Sequence, residues 1–413
     1  PVDGPPRMDG LLTIAGARIV AVGETLSGKP PTDLGDVAIL PGLVNAHTHL
    51  EFSDLTEPLG TPGMPLPHWI RAVLAARGPQ QNSAAAIRQG LQESLAAGTT
   101  ALGEIVTSGW SSAVADSNES DESRDPGIAS ASQPTAPGER IHVTLFRELI
   151  GLSPERALAA LTAAEQHLDA WQGVADRSPG LSPHAPYTVH PELLRGAVEL
   201  ARWRGCPIAM HVAESPQELE LLAGGTGPFA ELLKERGVWQ PELFGRRRVV
   251  EILQTLAAAP RALVIHGNYL TPDEAALLAA ERSRMAVVYC PRTHAYFGHE
   301  PYPLARFLSA GVQMALGTDS RASNPDLSLL AEMRFAASRH ADVPPEKILE
   351  LGTLAGARAL GLDRECGSLA PGKLANLTVV PICTAGANEP YEWLLDSTSP
   401  AVGTWLRGQP VNP

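Results

Sequence analysis

Cysteine is scarce in this chain, and its placement argues against two kinds of small scaffold. Cys206, Cys290, Cys366 and Cys383 are the four in 413 residues, and no two form a C-x-x-C pair. That spacing suggests neither a zinc knuckle nor a disulfide framework, and it fits a reduced cytoplasm. Long apolar runs are missing as well. Nothing approaches the roughly 18 apolar residues of a membrane span, and no charged segment leads into an apolar one near the start. Neither a membrane helix nor a secretory leader is expected within the sequence, although it opens on Pro1 rather than Met and leaves room for a short segment before it. Basic stretches are short, the longest being Arg246-Arg247-Arg248, and the formal net charge is −13. Such a balance repels a phosphate backbone and argues against nucleic acid as a partner.

What is present suits a globular enzyme. Hydrophobic residues make up 44% and charged residues 19%, enough to bury a large core. The length fits a large barrel or two unequal domains. Eight strand-like runs recur: Val37–His49, Thr99–Val106, Ile141–Glu148, Gly180–His184, Pro207–Glu214, Ala262–His266, Met285–Cys290 and Gln313–Asp319. Helical segments separate them, among them Ala84–Ala97, Pro154–Gln172, Pro191–Arg204, Pro272–Arg282 and Asp326–His340, several opened by a Ser or Thr cap followed by Pro or an acid. Eight alternations predict an α/β fold, a closed parallel (β/α)8 TIM barrel, over residues 39–365. Gly10–Gly23 and Gly367–Val380 read as β-hairpins and Ala401–Leu406 as a further strand, so residues 1–38 and 366–413 are expected to pair into a small β-sandwich domain. Residues 111–139, rich in Ser, Ala, Asp, Glu, Pro and Gly, form an insertion expected to be exposed and mobile.

The chemistry is carried by strand ends. His47-Thr48-His49 closes the first strand, and alternation with period two projects both imidazoles to one face. Six of the twelve histidines (His47, His49, His184, His211, His266 and His294) fall at or just past a strand's carboxyl end, where barrels place their active sites. His211 closes the fifth strand, His266 the sixth and Asp319 the eighth. His47, His49, His211 and Asp319 therefore form the expected ligand set for one divalent ion, with zinc first and ferrous iron as the alternative. Three imidazoles and a carboxylate leave a position for water, which is a catalytic rather than a structural set. Glu214, three residues after His211, is the expected acid and base. It would take a proton from water made acidic by the ion and deliver it to a leaving nitrogen; the structural alternative is a carboxylate at a helix N-terminus. His266 is expected to position water or substrate, and Asp319 to orient that water.

The segments "LPGLVNAHTHLE", "HVAES", "IHGNYL" and "LGTDSRASNPDLSLLAEMR" resemble the amidohydrolase superfamily, in its cytosine deaminase and chlorohydrolase-like branch. That branch includes S-adenosylhomocysteine, adenosine, guanine and aminofutalosine deaminases and triazine hydrolases. The resemblance runs from about Leu11 to Val380 and implies the same four ligands, with Glu214 as the H-x-x-E glutamate and His266 as the strand-six histidine. Binuclear relatives bridge two ions with a carboxylated Lys or a Glu on a middle strand. Here Lys29, Lys234, Lys347 and Lys373 all lie off strands three and four, and strand four ends in His184, so one ion is expected even though Glu148 ends strand three. In "SPHAPYTV" His184 resembles a substrate-contacting histidine; a satisfied barrel histidine is the alternative. The strand-seven segment "CPRTHAYFGH" departs from the branch's "NP-x-SN" pattern. Arg147, Arg292 and His294 lie near strand ends, where a substrate carboxylate or sugar hydroxyl is one partner and, for the two arginines, an internal ion pair another. Trp69, on a helix after strand one, is either core or part of a lid.

The expected reaction is deamination of an exocyclic amine on an adenine-nucleoside-like or other heteroaromatic small molecule, of aminofutalosine or S-adenosylhomocysteine type. Hydrolysis of an amide or cyclic amide, or dechlorination, on the same site is the alternative. A barrel without activity that serves as a binding protein is the second. A homo-oligomer is left open.

Overall fold

The structure is a computed structural model that describes residues 2–23, 30–76, 83–107, 110, 141–382 and 389–411. The insertion at 111–139 and Cys383 lie outside the described residues. Eight parallel strands follow one another in space as they do in sequence: β4 (Leu43–Thr48), β5 (Thr99–Val106), β6 (His142–Leu149), β7 (Arg177–Pro183), β8 (Ile208–Val212), β9 (Ala262–His266), β10 (Met285–Tyr289) and β11 (Met314–Leu316). The two outer strands approach through a bridge between Thr48 and Asp319, and the Asp319 N–H donates to the His47 carbonyl at 3.1 Å. The barrel is thereby nearly closed, as the eight alternations predict.

Strands from both chain ends build the antiparallel part. β1 (Leu12–Ala15) and β2 (Arg18–Val22) form a hairpin around Gly16, while β3 (Val37–Pro41), β12 (Leu377–Pro381), β13 (Gly403–Leu406) and β14 (Gln409–Val411) make a second sheet in the order β14-β13-β12-β3. Two sequence expectations change here. The run Val37–His49 is two strands, divided at Gly42: β3 pairs with β12, and β4 enters the barrel. A Cβ on Gly42 would sit 2.2 Å from the Thr100 hydroxyl, so the close crossing between sheets tolerates only glycine. Gly367–Val380 is not a local hairpin. Its strand, β12, pairs with β3 and β13, and the Gly372 N–H donates to Ile19 of β2 instead.

Small and branched side chains fill the barrel. Val44, Ala101, Ile105, Phe146, Ala209, Leu263, Ile265, Ala286, Val288 and Ala315 meet inside, joined by Ala357, Ala359 and Leu360 from the helix Leu354–Leu360. That helix closes the end where the strands begin, since Val44 near the start of β4 donates its N–H to the Gly352 carbonyl just before it. The outward strand faces carry larger residues such as Met210, Val264, Val287 and Leu316, which pack under the surrounding helices. Those helices start where their caps dictate. Ser153, His190, Ser215 and Thr271 each accept a backbone N–H of the first turn, each is followed by proline, and an acid stands in the first turn.

Candidate metal centre

The first two histidines reach the barrel mouth through a bulge. Val44 pairs with Ala101 and Asn45 with Leu102, but Thr48 is the next residue in register, beside Glu104. Two residues of β4 are thus accommodated against one of β5. A bulge re-aims side chains at a strand end, and here it puts Thr48 behind the barrel and both histidines in its mouth. The Nε2 atoms of His47 and His49 lie 3.7 and 3.8 Å from Asp319 Oδ1. Among the described residues, donor atoms of His47, His49 and His211 lie within 4.8 Å of one another, as do those of His47, His266 and Asp319. Glu148 belongs to neither group.

Three residues around this cluster hold left-handed backbone without being glycine: Ala213 (φ 53°), His266 (φ 67°) and Asp319 (φ 60°). Such conformations cost roughly 1–3 kcal/mol each and gather at functional sites. For His266 the consequence is direct. Leu263 and Ile265 face the barrel interior, so simple alternation would send His266 outward; its φ turns the ring inward, 3.5 Å from Glu214 Oε1 and 3.9 Å from Asp319 Oδ2.

The donors fit a cation. Burial lowers the pKa of His47 to about 3 and takes His211 and His266 well below the ordinary imidazole value, so all three are neutral with lone pairs to give. The His211 Nδ1–H donates to the His184 carbonyl at 2.9 Å, which fixes the tautomer and leaves the Nε2 lone pair available to a cation. His47 Nε2 is buried without a hydrogen-bond partner, a state that costs about 1–3 kcal/mol unless something fills it. Burial also raises the carboxyl groups of Glu214 and Asp319 above their usual range, and Asp319 adds to the effect at Glu214. A divalent charge between them would reverse that.

Glu214 is held by its backbone. The N–H groups of Ala213 and Glu214 donate to the two carboxyl oxygens of Glu218 at 2.9 and 2.8 Å, and Asn268 Nδ2 donates to the Glu214 carbonyl at 2.9 Å. Beyond the sequence candidates, Glu104 stands buried behind His49, with the Thr48 hydroxyl, the Leu50 N–H and the Trp110 indole donating to its carboxylate. Ser323 bonds both Asp319 Oδ2, at 3.4 Å, and the Thr293 hydroxyl, at 2.9 Å. Only the polar run after Asp319 hinted at Ser323; Glu104 sits in a strand run with no motif around it.

His184 lies beside the cluster, its ring 5.2 Å from that of His211 and its Nδ1 2.7 Å from the Thr188 hydroxyl. The other expected substrate residues are not gathered there. Arg147 is in register with Val106 and Leu181, which pack outside the barrel, and its charge helps lower the pKa of His167 on an outer helix, a shift led by burial. Arg292 is consumed by Glu332 at 2.8 Å and Asp326 at 2.7 Å. His294 is buried in an aromatic layer with Tyr289, Tyr302 and His299. Trp69 donates its indole N–H to the Ala322 carbonyl, just after Asp319, and packs edge-on against Phe297, which ties the helix after β4 across one side of the mouth.

Eight parallel strands with histidine and aspartate donors gathered at their carboxyl ends define a barrel metallohydrolase. The chain belongs to the amidohydrolase family, whose model matches residues 38–410, and it is an enzyme acting on carbon–nitrogen bonds. It is 30% identical to the aminodeoxyfutalosine deaminase of Deinococcus radiodurans, over 83% of this chain and 81% of that one. It is also 30% identical to the 5-methylthioadenosine/S-adenosylhomocysteine deaminase of Moorella thermoacetica, over 92% and 83%. Among solved structures, Helicobacter pylori aminofutalosine deaminase in complex with methylthio-coformycin superposes with a TM-score of 0.76 at 21% identity, covering 97% of this chain and 94% of that one. An adenosine deaminase from Xanthomonas campestris with bound zinc gives 0.71 at 24%, covering 97% and 88%. At these identities the two structures establish the fold. No described helix is long and apolar enough to cross a membrane.

Proposed function

We propose that this enzyme deaminates an adenine-nucleoside-like small molecule of aminodeoxyfutalosine, 5-methylthioadenosine or S-adenosylhomocysteine type, using one zinc ion held by His47, His49, His211 and Asp319. The observation that carries the reading is the place of Glu214: a buried carboxyl 3.5 Å from His266 at the rim of the donor cluster, where burial raises its affinity for a proton and a divalent charge beside it would restore the ionised form that accepts one. The relatives at 30% identity support the substrate class. A divalent ion bound there supplies a water acidic enough to act as a nucleophile at neutral pH.

Glu214 takes a proton from the attacking water and places it on the ring nitrogen next to the amine-bearing carbon. The water oxygen bonds to that carbon. The remaining proton of the added oxygen then passes to the amine through Glu214, the carbon–nitrogen bond breaks with its electron pair leaving on ammonia, and an oxo group remains while the ring nitrogen keeps its proton. His266, with its backbone carbonyl bonded by the Tyr302 hydroxyl at 3.0 Å, orients the water, and Asp319 accepts its hydrogen bond. His184 contacts the sugar, and His294 belongs to the aromatic layer with Tyr289 and Tyr302. Arg147 and Arg292 serve the scaffold through the contacts already described. Three buried free thiols, Cys206, Cys290 and Cys366, are consistent with work in the cytoplasm.

Ammonia release from a panel of aminopurine nucleosides by zinc-loaded enzyme tests this directly. Glu214→Gln should lower turnover by about 10²- to 10⁴-fold while metal content stays at that of the native chain. Ring opening of imidazolones or hydantoins without ammonia release from any aminopurine would overturn the assignment.

A further inference from the structure

The barrel's other face, where the strands begin, carries a cavity of about 200 Å³. Arg261 precedes β9, Arg282 and Arg284 lie in the turn before β10, and Arg358 belongs to the helix that closes this end; all four line the cavity, with Gln313 and Asp363. In a chain of net charge −13, four guanidinium groups meet three carboxylates here, Asp363 in the wall and Glu281 and Glu350 paired to two of the arginines, which leaves a local excess of positive charge.

The bland alternative is a set of arginines spent on internal ion pairs. Two have such a partner: Arg284 pairs with Glu281 at 2.5 Å and Arg358 with Glu350 at 2.8 Å. Arg261 gives one N–H to the Arg358 carbonyl and shares the wall with Asp363, whose charge supports it against burial. Arg282 reaches the Ala279 carbonyl at 3.4 Å and has no carboxylate at ion-pair distance among the described residues. Each guanidinium has five donors, so most N–H groups of this wall remain unspent on protein.

We infer that this cavity binds a phosphate-type oxyanion, remote from the reaction centre. Guanidinium forks match the oxygens of phosphate in pairs, and donors arriving from three separate chain segments surround a tetrahedral anion better than a planar one. The size agrees: one water needs about 10–15 Å³ of such space, so about 200 Å³ has room for orthophosphate or diphosphate.

The test is calorimetric titration of inorganic phosphate and of inorganic diphosphate into the zinc-loaded full chain, at ionic strength held constant with chloride. One saturable site per chain is expected. Arg282→Gln should weaken it about tenfold, the effect of losing one charged hydrogen-bonding partner, and Arg282→Glu should abolish it. Arg282 is exposed, so both variants should fold and keep the native zinc content. No saturable binding of either anion overturns the inference. So does unchanged binding in Arg282→Glu, which would place the anion elsewhere, at the metal centre for example.

Discussion

The Thr48 hydroxyl donates to Glu104 Oε2 at 2.6 Å, so the residue between His47 and His49 is anchored by a carboxyl group behind the barrel wall. The Leu50 N–H donates to the same group, at 2.9 Å to Oε1 and 3.1 Å to Oε2. His49 is therefore flanked on both sides by residues bound to one buried side chain. Glu104→Ala should weaken zinc binding by about 10- to 100-fold, the usual cost of losing a group that orients ligands, with Glu104→Gln recovering part of it. Competition with a chelator measures this, and native affinity in the alanine variant would remove Glu104 from the positioning role.

Why Glu104 escapes a reading of the sequence, while His47, His49 and His211 do not, is a matter of range. The proposed ligands announce themselves locally, by type and by position at the end of a strand. Glu104 acts on a residue 56 positions away, and no periodicity reports such a partner. His266 is intermediate: its place at a strand end was legible, but its direction depends on a left-handed φ that alternation contradicts. The division of the first strand had a visible sign, since Pro41-Gly42 is a poor dipeptide for a strand interior; its two destinations required the carboxyl-terminal strands as partners. Arg292 shows the converse, a polar residue near a strand end whose charge is taken up by Glu332 and Asp326.

Asn45 holds the seam of the barrel. Its Oδ1 accepts the Thr318 N–H at 3.1 Å and its Nδ2 donates to the Thr318 hydroxyl at 2.8 Å, across 273 residues of sequence. Asn45→Ala leaves the Thr318 N–H buried without this acceptor, while the Thr318 hydroxyl keeps the Asp319 carbonyl at 3.2 Å, and should reduce the free energy of unfolding by about 1–3 kcal/mol. Urea denaturation reads the change directly; a loss below about 0.5 kcal/mol, the range of neutral surface substitutions, would mean the seam is held by other contacts.

Glu218 gives stability a defined pH dependence. Burial raises its pKa from 4.5 to about 7, against the backbone N–H groups of Glu214 and Ala213 that favour the ionised form. Between those two values the folded chain keeps a proton that the unfolded chain has released. The group's contribution is therefore greatest below pH 4.5 and is lost as pH rises through 7. On going from pH 4.5 to 7.5 the native chain should lose about 3 kcal/mol relative to Glu218→Gln. Unfolding curves of both chains at the two pH values decide it, and parallel behaviour would place the proton elsewhere.

Thr188 sets the tautomer of His184. Its hydroxyl donates to the Ala185 carbonyl at 3.2 Å, so toward His184 Nδ1, 2.7 Å away, it can only accept. The ring proton is thereby held on Nδ1, and Nε2 is left as an acceptor able to take the proton of a substrate hydroxyl. In Thr188→Val the acceptor is gone, the ring is free to tilt and to move its proton to Nε2, and the Nε2 lone pair is no longer held ready for a substrate hydroxyl proton. The loss of about 1 kcal/mol should appear as KM about fivefold higher with kcat little changed, because the contact is made equally in the bound and reacting substrate. A fall in kcat at constant KM would instead put His184 among the groups that act on the reacting atoms.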